Sequence, residues 1–198
     1  MWEIDDRGLI EEIQRGNVAA FRELVERYKK RIYYLALDLT GNHHDAEDLS
    51  QDVFIKVYGS IHKFRMESKI HSWLYRITVN AFIDKKKKKF LKIIRLNSEN
   101  DAEGRQLMAP VDEGINGDPE RHTESKLIQK HINAALNRLS PKEKVVFIMK
   151  HYHEQTIKEI AQIINVSEGT VKSTLFRAIN KLKTALSFYK EDLGWEDV

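Results

Sequence analysis

The sequence predicts an all-α protein made of two small helical domains joined by a flexible acidic linker. Three observations support this fold class. Apolar residues recur mainly at helical steps of three and four, without clear strand alternation. The 198 residues include only three prolines and nine glycines, fewer than a turn-rich β fold would need. Residues 97–124 carry eight acidic and two basic side chains and few large apolar ones, which is typical of a linker.

Residues 1–96 are expected to form several helices. A short first helix precedes a long apolar pattern that Gly41 should end, since glycine readily adopts the left-handed conformation at a helix C-terminus. Gly59 should break the helix that follows. In chain order, the predicted helices cover residues 9–13, 21–39, 45–58 and 70–84.

Residues 125–190 are also predicted to be helical, with start signals that divide them. Ser140 and Glu143 form one capping box, and Thr156 and Glu159 form a second. Ser167 should cap a long last helix, a short turn after the preceding one. Two helices so closely joined predict a helix-turn-helix. Residues 191–198 form an acidic tail.

Composition excludes several functions. The chain has no cysteine, so disulfides, thiolate metal sites and cysteine nucleophiles are absent. No apolar run approaches the roughly 18 residues that a membrane helix needs, and the N-terminus lacks an apolar signal core. We therefore expect a cytoplasmic protein. Residues 125–190 carry twelve basic and four acidic side chains, a charge that suits an anionic partner.

The last predicted helix carries a stripe of hydrogen-bonding and cationic side chains away from its apolar face. Base edges and phosphates require this chemistry, and the N-terminal turns of such a helix enter the groove, so residues 168–177 are the expected readers. Lys172 and Lys183 point elsewhere and are expected to meet phosphates. A solvated face of an ordinary three-helix bundle is the alternative. The stripe consists of Thr170, Ser173, Thr174, Arg177 and Lys181.

The predicted helix at 45–58 has an acidic face. Asp45, Asp48 and Asp52 fall within about 60° of arc, and Glu47 and Gln51 extend the polar surface. Such a face would attract a basic protein helix. Favourable interaction with the helix dipole explains the acids near the helix start but not Asp52.

Two metal-dependent alternatives to this acidic face are open. One is a metal site that includes the neighbouring His43 and His44. The other is a nuclease built on the three aspartates, although a two-metal site needs carboxylates that converge from several elements.

The predicted helix at 70–84 carries a different outer stripe. Lys69, Ser72, Arg76 and Asn80 recur at steps of three and four beside Trp73, and five lysines follow at 85–89. Cations beside aromatic rings suit single-stranded nucleic acid, whose bases stack while lysines follow the backbone. As alternatives, Trp73 belongs to the core and the lysines solvate a helix end, or the lysines bind an anionic membrane surface.

Together these segments resemble an extracytoplasmic-function sigma factor of bacterial RNA polymerase. Residues 45–54 resemble the core-polymerase-binding helix of the family. Residues 72–80 resemble its promoter-melting helix, and residues 159–163 and 169–178 resemble its C-terminal helix-turn-helix. The three segments in this order, with an acidic linker between the second and third, cover most of the chain.

The resemblance implies a transcription initiation factor rather than an enzyme, without cofactor, metal or catalytic residues. Residues 1–96 would be sigma region 2, 97–124 the linker and 125–190 sigma region 4. Expected partners are core RNA polymerase, promoter DNA as duplex and melted strand, and an anti-sigma factor, and stress is the expected inducing condition. The implied contacts are Asp45, Glu47, Asp48, Gln51 and Asp52 for polymerase; Phe64, Lys69, Ser72, Trp73, Arg76 and Asn80 for the minus-ten element; and Ser167, Glu168, Thr170, Lys172, Ser173, Thr174, Arg177 and Lys181 for the minus-thirty-five element.

Some positions depart from the common family pattern. Asp52 stands where glutamate is frequent, Thr174 where many members have arginine, and Ser167 where many have proline. These departures affect promoter sequence rather than fold. Two other functions stay open: a one-component helix-turn-helix regulator with an N-terminal effector domain, and a membrane-surface adaptor that uses the lysines at 85–89.

Overall fold

A computed structural model describes residues 5–99 and 121–189, which contain eight α-helices, one 3-10 turn and no strand. The all-α prediction is confirmed. The predicted tail at 191–198 and the centre of the predicted linker lie outside the described ranges. The helices are α1 (Asp6–Gln14), α2 (Val18–Thr40), α3 (His43–Ser60), α4 (Ile70–Glu99), α5 (Arg121–Asn137), α6 (Pro141–His151), α7 (Ile157–Ile164) and α8 (Glu168–Ala185), with the 3-10 turn at Ile61–Lys63.

Helices α1 to α4 form the N-terminal domain. Asn17 caps α2 by accepting hydrogen bonds from the amides of Ala19 and Ala20, and Gly41 ends it in the left-handed conformation at φ 84°. Asn42 then caps α3 directly. Because the connection is so short, α2 and α3 pack as an antiparallel pair against which α4 lies. Fully buried side chains include Leu24, Ile32, Leu35, Leu39, Ala46, Val53, Val57 and Leu74.

Helix α4 is longer than predicted, because it continues through the five lysines at 85–89 and ends at Glu99. Lysine is a good helix former, so a run of lysines does not end a helix. Lys85 points back to α3, and Lys86 lies over the Phe82 ring with Nζ 5.7 Å from its centroid. Helix α5 likewise begins at Arg121. Both ends of the predicted linker are therefore helical.

The structure confirms the helix start signals that were predicted in residues 125–190. Ser140 with Glu143 and Thr156 with Glu159 form complete capping boxes at α6 and α7. Asn165 ends α7 in the left-handed conformation at φ 54°, which lets α8 begin three residues later. The predicted helix-turn-helix therefore consists of α7 and α8.

The two domains pack against each other, with α6 and α7 lying on α4 and α6 also touching α2. Buried residues of α6, α7 and α8 belong to the same apolar cluster as the N-terminal core. Among the helices of the described ranges, none combines the length and apolar character that a bilayer crossing requires.

One buried lysine lies near the interface between the two domains. Lys144 of α6 is only 4% exposed, and its Nζ donates a hydrogen bond to Oδ1 of Asn137 at 3.0 Å. The pKa of Lys144 is lowered to about 8, chiefly by burial and also by the nearby Lys86, while Asp38 opposes the shift. The folded state therefore holds a charged lysine at a cost below pH 8, and this cost disappears as pH rises toward 10.5.

We expect Lys144→Met to raise the free energy of unfolding by about 1–2 kcal/mol at pH 7, because the replacement removes a buried charge and keeps most of the volume. The advantage over the unmodified chain should shrink between pH 8 and pH 10. Urea unfolding at several pH values would measure both effects, with the exposed Lys142→Met as the matched control. A Lys144→Met variant that is less stable at pH 7 would contradict this account.

Candidate functional site

The acidic face predicted on α3 is present. Ala46, Leu49, Val53 and Val57 face the core. The side chains of Glu47, Asp48, Gln51 and Asp52 are exposed on the opposite side of the helix. The amphipathic spacing thus displays three carboxylates on one accessible surface, where they can contact a basic partner.

Asp45 lies at the edge of this face, and its carboxylate already has a hydrogen-bond partner within the protein. Its amide donates to Oδ1 of Asn42 at 2.7 Å, and the side-chain amide of Asn42 donates to its Oδ2 at 3.0 Å. The hydrogen bond from Asn42 lowers the pKa of Asp45, and the nearby Lys85 lowers it further against the effect of burial. Asp45 therefore stays ionised and helps to begin α3.

Lys85 joins α4 to the acidic face. Its Nζ lies 3.9 Å from Oδ1 of Asp45 and 3.8 Å from Oδ2 of Asp48. These exposed, long contacts are weak. The neighbouring His43 contacts the Tyr33 hydroxyl through Nδ1 at 2.6 Å. Within residues 5–99 and 121–189, no three His, Cys, Asp or Glu side chains are arranged to hold a metal ion.

The loop between the 3-10 turn and α4 rests on an aromatic pair. The ring centroids of Phe64 and Trp73 lie 4.9 Å apart, and Phe64 is only 8% exposed. Side-chain Nε2 of Gln14 donates to the carbonyls of Ile61 and Phe64, both at 3.0 Å, which fixes the start of this loop. Sequence reasoning missed Gln14, because a glutamine that bonds to backbone carbonyls leaves no pattern in the sequence.

The outer stripe predicted on α4 is only partly open. Lys69 and Asn80 are exposed, and Ser72 and Trp73 are half-buried. Arg76 is also exposed, and its Nη2 donates to the backbone carbonyl of Gln162 in α7 at 2.7 Å.

The first turns of α8 present the predicted polar surface. Glu168, Thr170, Lys172 and Ser173 are exposed. Ser173 Oγ donates to the Thr170 carbonyl at 3.1 Å, which leaves its hydroxyl able to accept a further bond. Lys183 is also exposed, farther along the helix.

Ser167 has a structural role at the start of α8. Its Oγ accepts a hydrogen bond from the Thr170 amide at 3.2 Å and lies 2.9 Å from the Thr170 hydroxyl. The cap therefore fixes both the direction of the helix and the position of Thr170.

We expect Ser167→Ala to lower the free energy of unfolding by about 1 kcal/mol, because one helix N-terminal amide loses its partner. Ser167→Asp should retain most of the stability, since aspartate also caps helices and complements the helix dipole. Urea denaturation of the three proteins would test this. Equal midpoints for the alanine variant and the unmodified chain would show that the cap contributes nothing.

The predicted position of Thr174 is wrong. Its side chain is 6% exposed and faces the domain interior instead of lying on an open stripe. Its Oγ1 accepts a hydrogen bond from Nη2 of Arg177 at 3.2 Å. Thr174 lies next to the buried Val171 and one turn before the buried Ala178, so the apolar face of α8 is wider than the projection indicated. Its role in the structure is to orient Arg177.

Lys181 is directed toward the protein as well. Its Nζ lies 2.7 Å from Oε2 of Glu143, the buried capping residue of α6. Burial alone would raise the pKa of Glu143, but hydrogen bonds from Lys181 and Ser140 hold that pKa below its usual value. Lys181 therefore pairs α8 with α6, which the prediction of a DNA contact did not foresee.

Solved structures with a similar fold support this architecture. The sigma factor RpoE of Bartonella quintana, solved with the anti-sigma factor NepR, matches with a TM-score of 0.60 and 24% identity over 84% of this chain and 96% of that one. CnrH, solved with the cytosolic domain of CnrY, matches with a TM-score of 0.63 and 20% identity over 92% of this chain and 97% of that one.

Sequence comparisons extend this likeness to the family. SigW of Bacillus subtilis strain 168, an ECF RNA polymerase sigma factor, is 32% identical over 181 residues, which are 89% of this chain and 94% of the relative. The ECF sigma-E factor of Haemophilus influenzae is 31% identical over 89% of this chain and 92% of its own length. Family models for Sigma-70 region 2 and Sigma-70 region 4 match residues 24–89 and 130–182. The chain therefore belongs to the ECF family of RNA polymerase sigma factors, which are alternative sigma factors that direct transcription initiation.

Proposed function

We propose that this chain docks on core RNA polymerase through α3, holds the minus-ten element on the outer face of α4 and reads the minus-thirty-five element with α8. One observation carries the proposal: exposed carboxylates and exposed DNA-compatible side chains occupy different helices. DNA repels the first surface and is attracted to the second, so the polymerase and its promoter can be held at the same time.

The polymerase contact is assigned to Glu47, Asp48, Gln51 and Asp52, because all four are exposed on the face of α3 opposite the core. Asp45 is assigned a supporting role, since Asn42 already occupies its carboxylate. A basic helix of the polymerase would complement this surface.

The minus-ten contact is assigned to the loop after Phe64 and to the stripe on α4 that includes Lys69, Ser72, Arg76 and Asn80. Phe64 and Trp73 pack on each other at 4.9 Å and would form the apolar floor beneath an extruded base. A base leaves the stack at least cost where the duplex is already opening, so this site suits a melted strand.

The minus-thirty-five contact is assigned to Glu168, Thr170, Lys172, Ser173 and Arg177. These residues lie along the first turns of α8, the second helix of the helix-turn-helix, which in this motif enters the major groove. Ser167 and Thr174 support them, the first by capping α8 and the second by orienting Arg177. Lys181 would contact DNA only by leaving Glu143.

Regulation by an anti-sigma factor is part of the proposal, because both solved structures of similar fold contain a second protein, named an anti-sigma factor in the Bartonella complex. We place the protein in the cytoplasm, where a transcription factor meets the chromosome, and we expect a stress signal to release it. The chain would contribute binding and strand separation, while the polymerase supplies the catalysis.

Run-off transcription with purified core polymerase and a genomic promoter library would test the proposal. We expect defined transcripts only when the chain is added, and weak promoter binding by the chain alone at physiological salt, because it neutralises few phosphates. An unchanged transcript pattern would contradict the sigma activity. Tight promoter binding without polymerase would instead favour a one-component regulator.

A further inference from the structure

A cavity of about 370 Å³ lies where α2, the first turns of α4 and the connection between α6 and α7 meet. Each of these three elements contributes two side chains. On α2 and on α4 the two residues are three or four positions apart, which places them on one face of the helix. In the connection, Glu154 adopts the left-handed conformation at φ 52°, and the residues on both sides of it line the cavity. The lining residues are Arg31, Tyr34, His71, Tyr75, His153 and Gln155.

Aromatic rings form the walls of this cavity. The side chain of Tyr75 is 7% exposed, and the rings of His71 and His153 meet it nearly at right angles, with centroids 6.3 and 5.8 Å away. His153 is held in place by Asp38, whose Oδ2 lies 2.9 Å from its Nε2. Tyr34 is 58% exposed, so its ring is accessible. Such walls suit a flat, conjugated ring, which can stack on one side chain and meet another edge-on.

Three polar groups of the lining have no partner among the residues that the structure describes. The Arg31 guanidinium forms no ion pair, and the Tyr75 hydroxyl forms no hydrogen bond. Oε1 of Gln155 is buried and lacks a hydrogen-bond donor. Nε2 of Gln155 already donates to the His153 carbonyl at 3.0 Å, so turning the amide over would lose that bond. Because buried polar atoms are nearly always paired, these groups indicate a ligand that carries both an anion and a hydrogen-bond donor.

The charges around the cavity favour an anion. Burial lowers the pKa of His71 and raises the pKa of Tyr75, and the positive charge of Arg31 lowers both. Near pH 7 the imidazole of His71 is therefore neutral and the hydroxyl of Tyr75 protonated, so each can donate a hydrogen bond to an anion. Arg31 supplies a permanent positive charge. Asp38, the acid beside the cavity, is already paired with His153.

From these observations we propose that the cavity binds a small nucleoside phosphate as a free ligand. The phosphate would contact Arg31, the base would stack on the tyrosine rings, and an amino or hydroxyl group would donate to Oε1 of Gln155. A volume of about 370 Å³ lies near the lower end of the range for ligand sites, about 300–1,000 Å³, which suits a mononucleotide. The inference goes beyond the proposed function, because this ligand is neither the polymerase nor the promoter.

Isothermal titration calorimetry of the full chain with GMP, AMP and UMP tests the proposal. We expect at least one of them to bind saturably, with a dissociation constant of about 1 mM or lower. Inorganic phosphate and the matching nucleoside should each bind roughly tenfold more weakly, because neither contacts both the guanidinium and the rings. The bound nucleotide should also raise the melting temperature, since it contacts both domains.

Two variants locate the binding site. Arg31→Ala should weaken nucleotide binding roughly tenfold or more, because it removes the charge that meets the phosphate. Gln155→Leu should weaken binding about threefold, because it removes one hydrogen-bond acceptor. Lys30→Ala is the matched control: Lys30 is an exposed cation next to Arg31 on α2 but does not line the cavity. It should bind the nucleotide as the unmodified chain does, and circular dichroism should show that all three variants are folded.

The absence of saturable binding by all three nucleotides up to about 10 mM would overturn the proposal. Equal binding by a folded Arg31→Ala protein would overturn it too, because the nucleotide would then occupy another site. A single-stranded DNA dodecamer is the last comparison: if it binds through Arg31 while no mononucleotide binds, the cavity belongs to a DNA strand and the proposal fails. These measurements use no polymerase, so their outcome is separate from the test of the proposed function.

Discussion

Asp52→Lys is expected to reduce the affinity for core RNA polymerase on the order of 100-fold or more, because a lysine on the acidic face of α3 would repel a basic partner surface. A substitution at Asp52 gives the clearest test of this contact. Its side chain is exposed, whereas Asp48 also lies 3.8 Å from Lys85, so a change at Asp48 would disturb a contact within the chain. Helix-dipole effects are confined to the first turn and do not explain an acid at Asp52.

Co-purification of the variant with core polymerase, followed by a binding titration, would measure the effect. Glu26→Lys is the matched control, since Glu26 is an exposed acid on α2 whose ion pair with Lys29 contributes little. Both variants should keep the helical circular dichroism of the unmodified chain. Normal recovery of core enzyme by Asp52→Lys would contradict the assignment of α3.

The positions of most helices could be predicted because their start and end signals are local. Ser140 with Glu143 and Thr156 with Glu159 satisfy backbone amides within one turn, and Gly41 supplies the left-handed residue that ends α2. Such signals depend on neighbours in the sequence, so they can be read without the tertiary structure. The acidic face of α3 follows from helical spacing in the same way.

Tertiary contacts explain what the sequence could not predict. The orientation of Lys181 depends on its contact with Glu143 of another helix. The burial of Thr174 reflects how closely the neighbouring helices approach α8. A projection around one helix gives the direction of a side chain but not the width of the surface that covers it.

The packing of the two domains could not be anticipated either. Arg76 binds a backbone carbonyl, an acceptor that every residue carries, so its partner leaves no mark on the sequence. His153 and Asp38 form a pair of ordinary residue types, and nothing local indicates that they meet. The predicted minus-ten stripe stays a prediction, and the contact of Arg76 with α7 is a property of the folded chain.

Arg177→Ala should cost about 1–3 kcal/mol in recognition of the preferred minus-thirty-five sequence if the guanidinium reads a base edge. Arg177 is exposed, lies on the expected reading helix and is oriented by the Thr174 hydroxyl at 3.2 Å. The loss should be specific to sequence. Affinity for the preferred duplex should fall, whereas affinity for unrelated duplexes should change little. Holoenzyme binding to promoter variants with altered upstream elements would measure both quantities.

Two further variants distinguish a direct contact with a base from a contact that only positions Arg177 or binds phosphate. Thr174→Val keeps a buried side chain of similar shape and removes only the hydrogen bond to Arg177, so it should weaken sequence preference less than Arg177→Ala does. Lys172→Ala should lower affinity for all duplexes alike and reduce the slope of affinity against salt by about one ion, as expected for a phosphate contact. An Arg177→Ala protein with unchanged sequence preference would assign Arg177 to the phosphate backbone. Promoter discrimination would then depend on Glu168, Thr170 and Ser173, the other exposed side chains of the first turns of α8.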